Sequence, residues 1–434
     1  MTVRKERGLF ELLRQDPERA SHLLDWGGGR RRFGRVLGSA TVGFFATRLM
    51  PFAGRQPAGW VPAALADERE PFVIEGKEGL VVLNDRPVNA EASVTLLDAD
   101  VTPSSAHFVR NNGLVPERAT SRDLTGWALR IDGEVERSLT LDLDDLKRSH
   151  QNHVARLTLE CGGNGRAGFR PRARGNQWTL GAVGCAEYRG VRLKDVLAAA
   201  GVKPSAVYVG YYGEDPHLSG ADQVAISRGV PMAKALDDHT LLAWEMNGEP
   251  LPAMHGFPLR LVASGFPASV SGKWLHRLWV RDRVHDGPKM GGMSYRVPRY
   301  PVAPGTQVPE EDMEIIEAMP VKSLITRPAT GIEHPVAAPL RLRGHAWSGE
   351  GSVSAMHVSL DFGQTWTEAT LATQANPFAW RRWSAELRVP MPGYYEVFAR
   401  ATGRDGRQQP MVMPGWNPRG YLNNAMHRIA VRVV

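Results

Sequence analysis

The chain has 434 residues, of which 42% are hydrophobic and 23% charged, with 45 glycines, 31 prolines and two cysteines. That length exceeds one ordinary core, so two or three turn-rich domains are expected rather than long helical bundles. A net charge of +7 is modest, no Lys/Arg run interleaves with aromatics, and Cys161 and Cys185 are too few for a four-cysteine zinc site or a Cys-ligated iron–sulfur cluster. Nucleic-acid binding and those metal classes are therefore set aside. No run of eighteen uncharged apolar residues occurs, so no membrane span is expected.

Residues 1–54 hold Arg30-Arg31-Arg32-Phe33 ahead of a short apolar stretch from Val36 to Ala46. This order resembles a twin-arginine export signal and predicts export, already folded, to the periplasm. The alternative is a basic amphipathic helix kept in the mature chain, which the long leader and Arg48 favour. Residues 55–80 read as a linker. From 81 to 303 the pattern is α+β, with β-rich runs at 155–160 and 206–211 and a helix over Leu193–Ala200 stopped by Gly201. Residues 304–319 carry prolines and the acidic Glu310, Glu311, Asp312 and Glu314, and read as a connector. From 320 to 434 strand signals recur at 340–344, 353–360, 380–389, 394–401 and 429–434, and residues 358–366 alternate into a glycine turn. That is the spacing of an all-β, immunoglobulin-like sandwich containing a hairpin.

Cys161 ends a β-run and precedes Gly162-Gly163-Asn164-Gly165, where the backbone passes close to whatever the cysteine faces. A thiolate there could bind a soft metal or attack an electrophile, although a lone cysteine is more often a buried packing residue. Gly163 to Gly168 also fits the G-x-G-x-x-G dinucleotide fingerprint, with Glu187 downstream. The fingerprint needs a helix after its glycines, and Pro171 and Gly175 break one, so NAD is not expected.

Leu157-Thr-Leu-Glu-Cys161-Gly-Gly-Asn164-Gly-Arg166 and Phe108-Val109-Arg110-Asn111-Asn112 are followed in order by several further segments. These are Gln177-Trp178-Thr179, residues 244–252, His255-Gly256-Phe257-Pro258-Leu259-Arg260, Ser271-Gly272-Lys273-Trp274-Leu275, residues 320–326 and Gly415 to Tyr421. Over roughly residues 80–434 this series resembles the sulfite oxidase family of molybdenum-cofactor oxidoreductases. Asn112 and Gly162 depart from the animal pattern, which has His and Ala there.

The resemblance implies a molybdopterin-binding catalytic domain followed by a dimerisation sandwich, and hence a homodimer. It implies Cys161 as the only protein ligand to molybdenum, and a pterin held by Phe108, Val109, Arg110, Asn111, Asn112, His255, Arg260, Ser271, Gly272 and Lys273. Either Asp215 or Asp222 would be the pterin-contacting acid. Arg110, Arg166 and Arg419, with Trp178 and Tyr295, would form the pocket for sulfite and sulfate, Tyr295 also donating a hydrogen bond at the metal; Tyr300 lies close by in sequence. The implied reaction is two-electron oxidation of sulfite to sulfate. The chain has no Cys-x-x-Cys-His haem motif, so an external acceptor such as a c-type cytochrome is expected. Alternatives on this fold are a sulfane-sulfur dehydrogenase of a thiosulfate-oxidising pathway and a nitrate reductase-like enzyme, the latter disfavoured by Arg419 with Tyr295. A cofactor-free binding protein is the non-enzymatic alternative, distinguished by molybdenum content.

Overall fold

The computed structural model describes residues 72–434; the expected export signal and the linker as far as residue 71 lie outside the described residues. From Ile74 to Val434 the chain packs as one compact unit. Among the described residues no helix is long and apolar enough to cross a membrane.

Two five-stranded sheets build the first part. One runs in the order Gly229–Pro231, Tyr208–Gly213, Leu275–Arg281, Leu129–Gly133, Leu139–Leu141. In the other, Glu249–Pro250, Thr240–Met246, Val183–Arg192 and Asn152–Glu160 follow one another, and Arg260–Ala263 also pairs with Thr240–Met246. Leu129, Ile131, Val191, Val209, Leu242, Leu261 and Leu278 fill a shared core. The helix Leu193–Ala200 buries Leu193, Val196, Leu197 and Ala200 in it, the i, i+3, i+4, i+7 stripe of an amphipathic helix, and ends at Gly201 with φ 72°.

The second part is the expected sandwich. Lys322–Arg327, Leu340–Trp347, Arg381–Leu387 and Thr370–Leu371 form one sheet. Ile332–His334, His427–Val433, Gly393–Gly403, Val353–Ser359 and Thr367–Glu368 form the other. The reason is visible in Leu340–Trp347: Leu340 and Leu342 are buried while Arg341 and Arg343 are exposed, so a period of two aims one face at Trp383, Val397 and Val431. The hairpin pairs His357 with Glu368 and Val358 with Thr367.

The segment read as a plain connector does more than connect. Met313–Ile315 forms a strand antiparallel to Arg296–Pro298, and the Ile316 N–H donates to the Tyr295 carbonyl at 3.1 Å. Three residues are too few to show a period in sequence. This pairing braces the backbone that carries Tyr295.

Candidate active site

Cys161 stands where a regular ladder stops. Asn152–Glu160 pairs with Val183–Arg192 as far as Glu160 opposite Val183; the Cys161 N–H then donates to the Ala182 carbonyl at 2.9 Å, and the Asn164 N–H donates to the Cys161 carbonyl at 2.8 Å. The glycines after it form a single 3-10 turn over Arg166–Gly168 rather than the helix a dinucleotide fingerprint needs. Both cysteines are free and buried. Cys185 lies opposite Thr158, and burial pushes its thiol up to about 11, the mark of a packing residue. Next to Cys161, the buried Glu160 carboxylate accepts from Lys322 Nζ at 3.0 Å, Asn164 Nδ2 at 2.8 Å and Trp347 Nε1 at 2.8 Å. Lys322 and Trp347 belong to the sandwich, so the cysteine loop is anchored across both halves of the unit.

Arg110, Asn112 and Tyr295 form a polar chain. Arg110 Nη2 donates to Asn112 Oδ1 at 2.9 Å, and Asn112 Nδ2 donates to the Tyr295 hydroxyl at 3.4 Å. Burial opposes the charge on Arg110, but Tyr295, Cys161 and Tyr421 facing it outweigh that and hold its pKa above the ordinary value. Arg166 is buried, its Nε donating to the Arg419 carbonyl at 2.6 Å and its Nη1 to the Asn176 carbonyl at 2.9 Å. Burial lowers its pKa, with Tyr421 and Cys161 opposing. A Cβ at Gly163 would overlap this guanidinium, and one at Gly420, where φ is 58°, would crowd its stem. The half-buried Arg419 side chain has no hydrogen bond or ion pair among the described residues.

Trp178 packs with Cys161, Phe108, Leu159 and Trp274. Its loop hangs from buried Glu91, whose carboxylate accepts from the Thr179 N–H at 2.9 Å, the Thr179 hydroxyl at 2.8 Å and the Gly181 N–H at 3.3 Å. Tyr295 is 5% exposed, whereas Tyr300 is 49% exposed and donates to Asp312 at 2.7 Å, so Tyr295 is the tyrosine facing this site.

Beside these groups lies a cleft lined by Phe108, Arg110, Asn112, His255, Arg260, Ser271 and Lys273 among others. Val109, Asn111 and Gly272 do not line it. Val109 pairs with Ala90, Asn111 accepts from Lys273 Nζ, and Gly272 leaves room for the Tyr211 ring. Asp215 lines the cleft, and burial raises its carboxyl to about 7; the Asp222 side chain lies outside the described residues. Sequence reasoning missed His107 and Lys77. Lys77 precedes every motif; it donates to the His107 carbonyl at 2.8 Å and contacts the His255 ring, and burial lowers its ammonium to about 7. Burial and Lys77 lower His107 to about 3, and burial with Arg260 lowers Lys273 well below the lysine range.

These residues fit a phosphate-bearing pterin. Arg260 is buried and Lys273 and Lys77 are half-buried, Asp215 is the only carboxylate lining the cleft, and the buried Arg260 Nε has no hydrogen-bond partner. Unpaired desolvated cations are costly, and a dianionic phosphate would satisfy both the charge and the orphaned Arg260 donor.

The family profile described as "Oxidoreductase molybdopterin binding domain" matches residues 113–289, and "Mo-co oxidoreductase dimerisation domain" matches residues 313–434. Mitochondrial sulfite oxidase of Rattus norvegicus is 34% identical over 373 residues, covering 82% of this chain and 66% of that protein. Sulfite oxidase of Gallus gallus is 34% identical over 384 residues, covering 85% of this chain and 81% of that one. The chain thus spans just under two thirds of the rat protein. Among solved structures, the sulfane dehydrogenase SoxCD from Paracoccus pantotrophus superimposes with a TM-score of 0.65 at 27% identity, covering 89% of this chain and 95% of that one. With a cysteine at a strand end, arginines around it and a cationic cleft alongside, this chain belongs to the sulfite oxidase family of molybdopterin-binding oxidoreductases.

Proposed function

We propose that this protein oxidises sulfite to sulfate. The observation that carries the reading is the pair of guanidiniums, half-buried Arg110 and buried Arg166, that interact electrostatically with Cys161 and have no carboxylate partner among the described residues. Such charges repel one another unless a small anion binds between them. When bound, the molybdenum cofactor supplies the two-electron oxidant and the transferred oxygen, so that sulfite and water become sulfate, two protons and two electrons. Cys161 holds the metal by its thiolate, a soft ligand suited to a metal that changes oxidation state. His255, Arg260, Lys273 and Asp215 hold the pterin and its phosphate. Arg110, Arg166 and the unpartnered Arg419 neutralise the anion, and Trp178 closes the apolar wall beside Cys161. The Tyr295 hydroxyl, oriented by Asn112, donates to the anion side of the site.

Arg419→Met tests the anion reading. It removes binding present in ground and transition states alike, so KM for sulfite should rise while kcat changes little. One charge-assisted hydrogen bond is worth about 1.5–3 kcal/mol, an increase of roughly ten- to a hundredfold. Sulfate inhibition should weaken in parallel at unchanged molybdenum content. A KM shift below about twofold with the metal retained removes Arg419 from the pocket.

A second reading, sulfane-sulfur oxidation, draws on the likeness to SoxCD. Turnover of sulfite, thiosulfate and nitrate compared with ferricyanide as acceptor separates the readings, and faster turnover of thiosulfate or nitrate would displace sulfite. The electrons would pass to an external carrier such as a c-type cytochrome. The sandwich would join two copies as a homodimer, consistent with the dimerisation profile. The Arg30-Arg31 pair would direct export to the periplasm. Changing both to Lys should hold the protein in the cytoplasm, and unaltered periplasmic recovery would defeat the export reading.

A further inference from the structure

Arg228, which no motif singled out, lies against the site. Its side chain is buried at 1% exposure, and no carboxylate pairs with it among the described residues. Its Nη1 donates to Ser269 Oγ at 2.6 Å, and its Nε has no hydrogen-bond partner. Ser269 lines the cofactor cleft. The Arg228 Cζ stands 4.5 Å from the centroid of the Tyr295 ring. Tyr295 in turn stacks on Tyr421, with centroids 5.6 Å apart and planes 15° from parallel, and Arg166 Cζ lies 5.1 Å from the Tyr421 centroid. A continuous row results, cation, ring, ring, cation, from Arg228 to the anion-pocket arginine Arg166.

Tyr295 needs such support. Its φ is 53°, a left-handed conformation that a bulky non-glycine residue avoids unless the surroundings impose it. The Tyr421 hydroxyl accepts from the Tyr295 N–H at 3.3 Å, so the same neighbour that stacks on the ring also satisfies the strained backbone. A desolvated guanidinium over a ring face is attracted by its quadrupole, which opposes rotation of that ring away from the cation. The end of the ring thus held is the hydroxyl that meets Asn112.

We propose that Arg228 and Tyr421 are positioning residues for Tyr295: Arg228 acts on turnover by holding the tyrosine hydroxyl at Asn112 and Arg110, not by touching the substrate. The assignment rests on the sulfite reading above for its kinetic readout, and on geometry alone for its structural one. In the holoenzyme, Arg228→Met should lower kcat about tenfold while KM for sulfite stays within about twofold. Arg228→Lys, which keeps a cation, should recover most of the loss. On a Tyr295→Phe background, Arg228→Met should cost less than about twofold more, because the hydroxyl it positions is already gone. A crystal structure of Arg228→Met should show the Tyr295 hydroxyl withdrawn from Asn112.

A raised KM with unchanged kcat would make Arg228 a substrate ligand and overturn the proposal. So would a full tenfold loss persisting in Tyr295→Phe, or a Tyr295 hydroxyl that stays in place. If Arg228→Met does not fold, Tyr421→Leu takes its part: it removes both the stack and the acceptor for the Tyr295 N–H and should lower kcat in the same way, while Tyr421→Phe keeps the stack and loses only that acceptor, so its kcat should fall clearly less. Equal activity of those two variants would likewise refute the row. Should the wild-type enzyme not turn over sulfite, the substrate reading fails by itself and the position of Tyr295 in the variant structure still decides the inference.

Discussion

Cys161→Ser is expected to abolish turnover in a protein that still folds. The Cys161 side chain is buried, its N–H and carbonyl are already bonded to Ala182 and Asn164, and serine has nearly the same size, so the loop has no reason to move. A molybdenum held at this position would, however, lose a soft anionic sulfur for a hydroxyl that is not ionised at neutral pH and ligates poorly in a site that changes oxidation state. A fall in kcat of about a hundredfold or more, ~2.7 kcal/mol, is expected. Thermal unfolding should stay close to that of the wild type, and molybdenum per chain should be measured alongside the rate. If the variant keeps more than about a tenth of kcat, Cys161 is not the ligand.

Lys322→Met should give the largest loss of stability. Lys322 and Glu160 are each 3% exposed and 3.0 Å apart, and the pair joins the sandwich to the cysteine strand. Removing the lysine leaves a buried carboxylate with only Asn164 and Trp347 to donate to it. Breaking one side of a buried pair costs about 3–5 kcal/mol. For a unit of this size the melting temperature should drop by roughly 5–10 °C. Molybdenum loading should fall as well, since Glu160 precedes Cys161 in the chain. The control is the double variant Glu160→Gln with Lys322→Met, which leaves no uncompensated charge and should recover much of the loss. Equal melting of the single and double variants would mean that the pair carries no stability of its own.

The elements legible in sequence are those whose cause lies within a few residues. The helix at Leu193–Ala200 shows its buried stripe and its terminal glycine in eight consecutive positions. The sandwich strands show alternation, as in Leu340 to Arg343. The short strand Met313–Ile315 has neither signal, and a stretch expected to be a connector became the partner of the Tyr295 segment. At the site, the cysteine loop and the arginines sit in compact motifs that resemble those of a known family, so Cys161, Arg110 and Arg166 could be named before any contact was known. Val109, Asn111 and Gly272 belong to the same segments, yet they lie behind the cleft, because a motif marks a stretch of backbone and not the direction of each side chain.

Sequence alone thus indicated the domain architecture, through hydrophobic period and turn residues, and the cofactor class, through the likeness of its compact motifs to a known family, because these are local properties of the chain. Tertiary structure alone decided which groups complete the site. Lys77 meets His255 across 178 positions, Lys322 meets Glu160 across 162, and Tyr421 reaches Tyr295 across 126. Arg228 reads in sequence as an ordinary basic residue between Ser227 and Gly229. It becomes a buried cation beneath Tyr295 only when separate segments are packed together, because desolvation and cation–ring attraction depend on distance in space, which spacing along the chain does not encode.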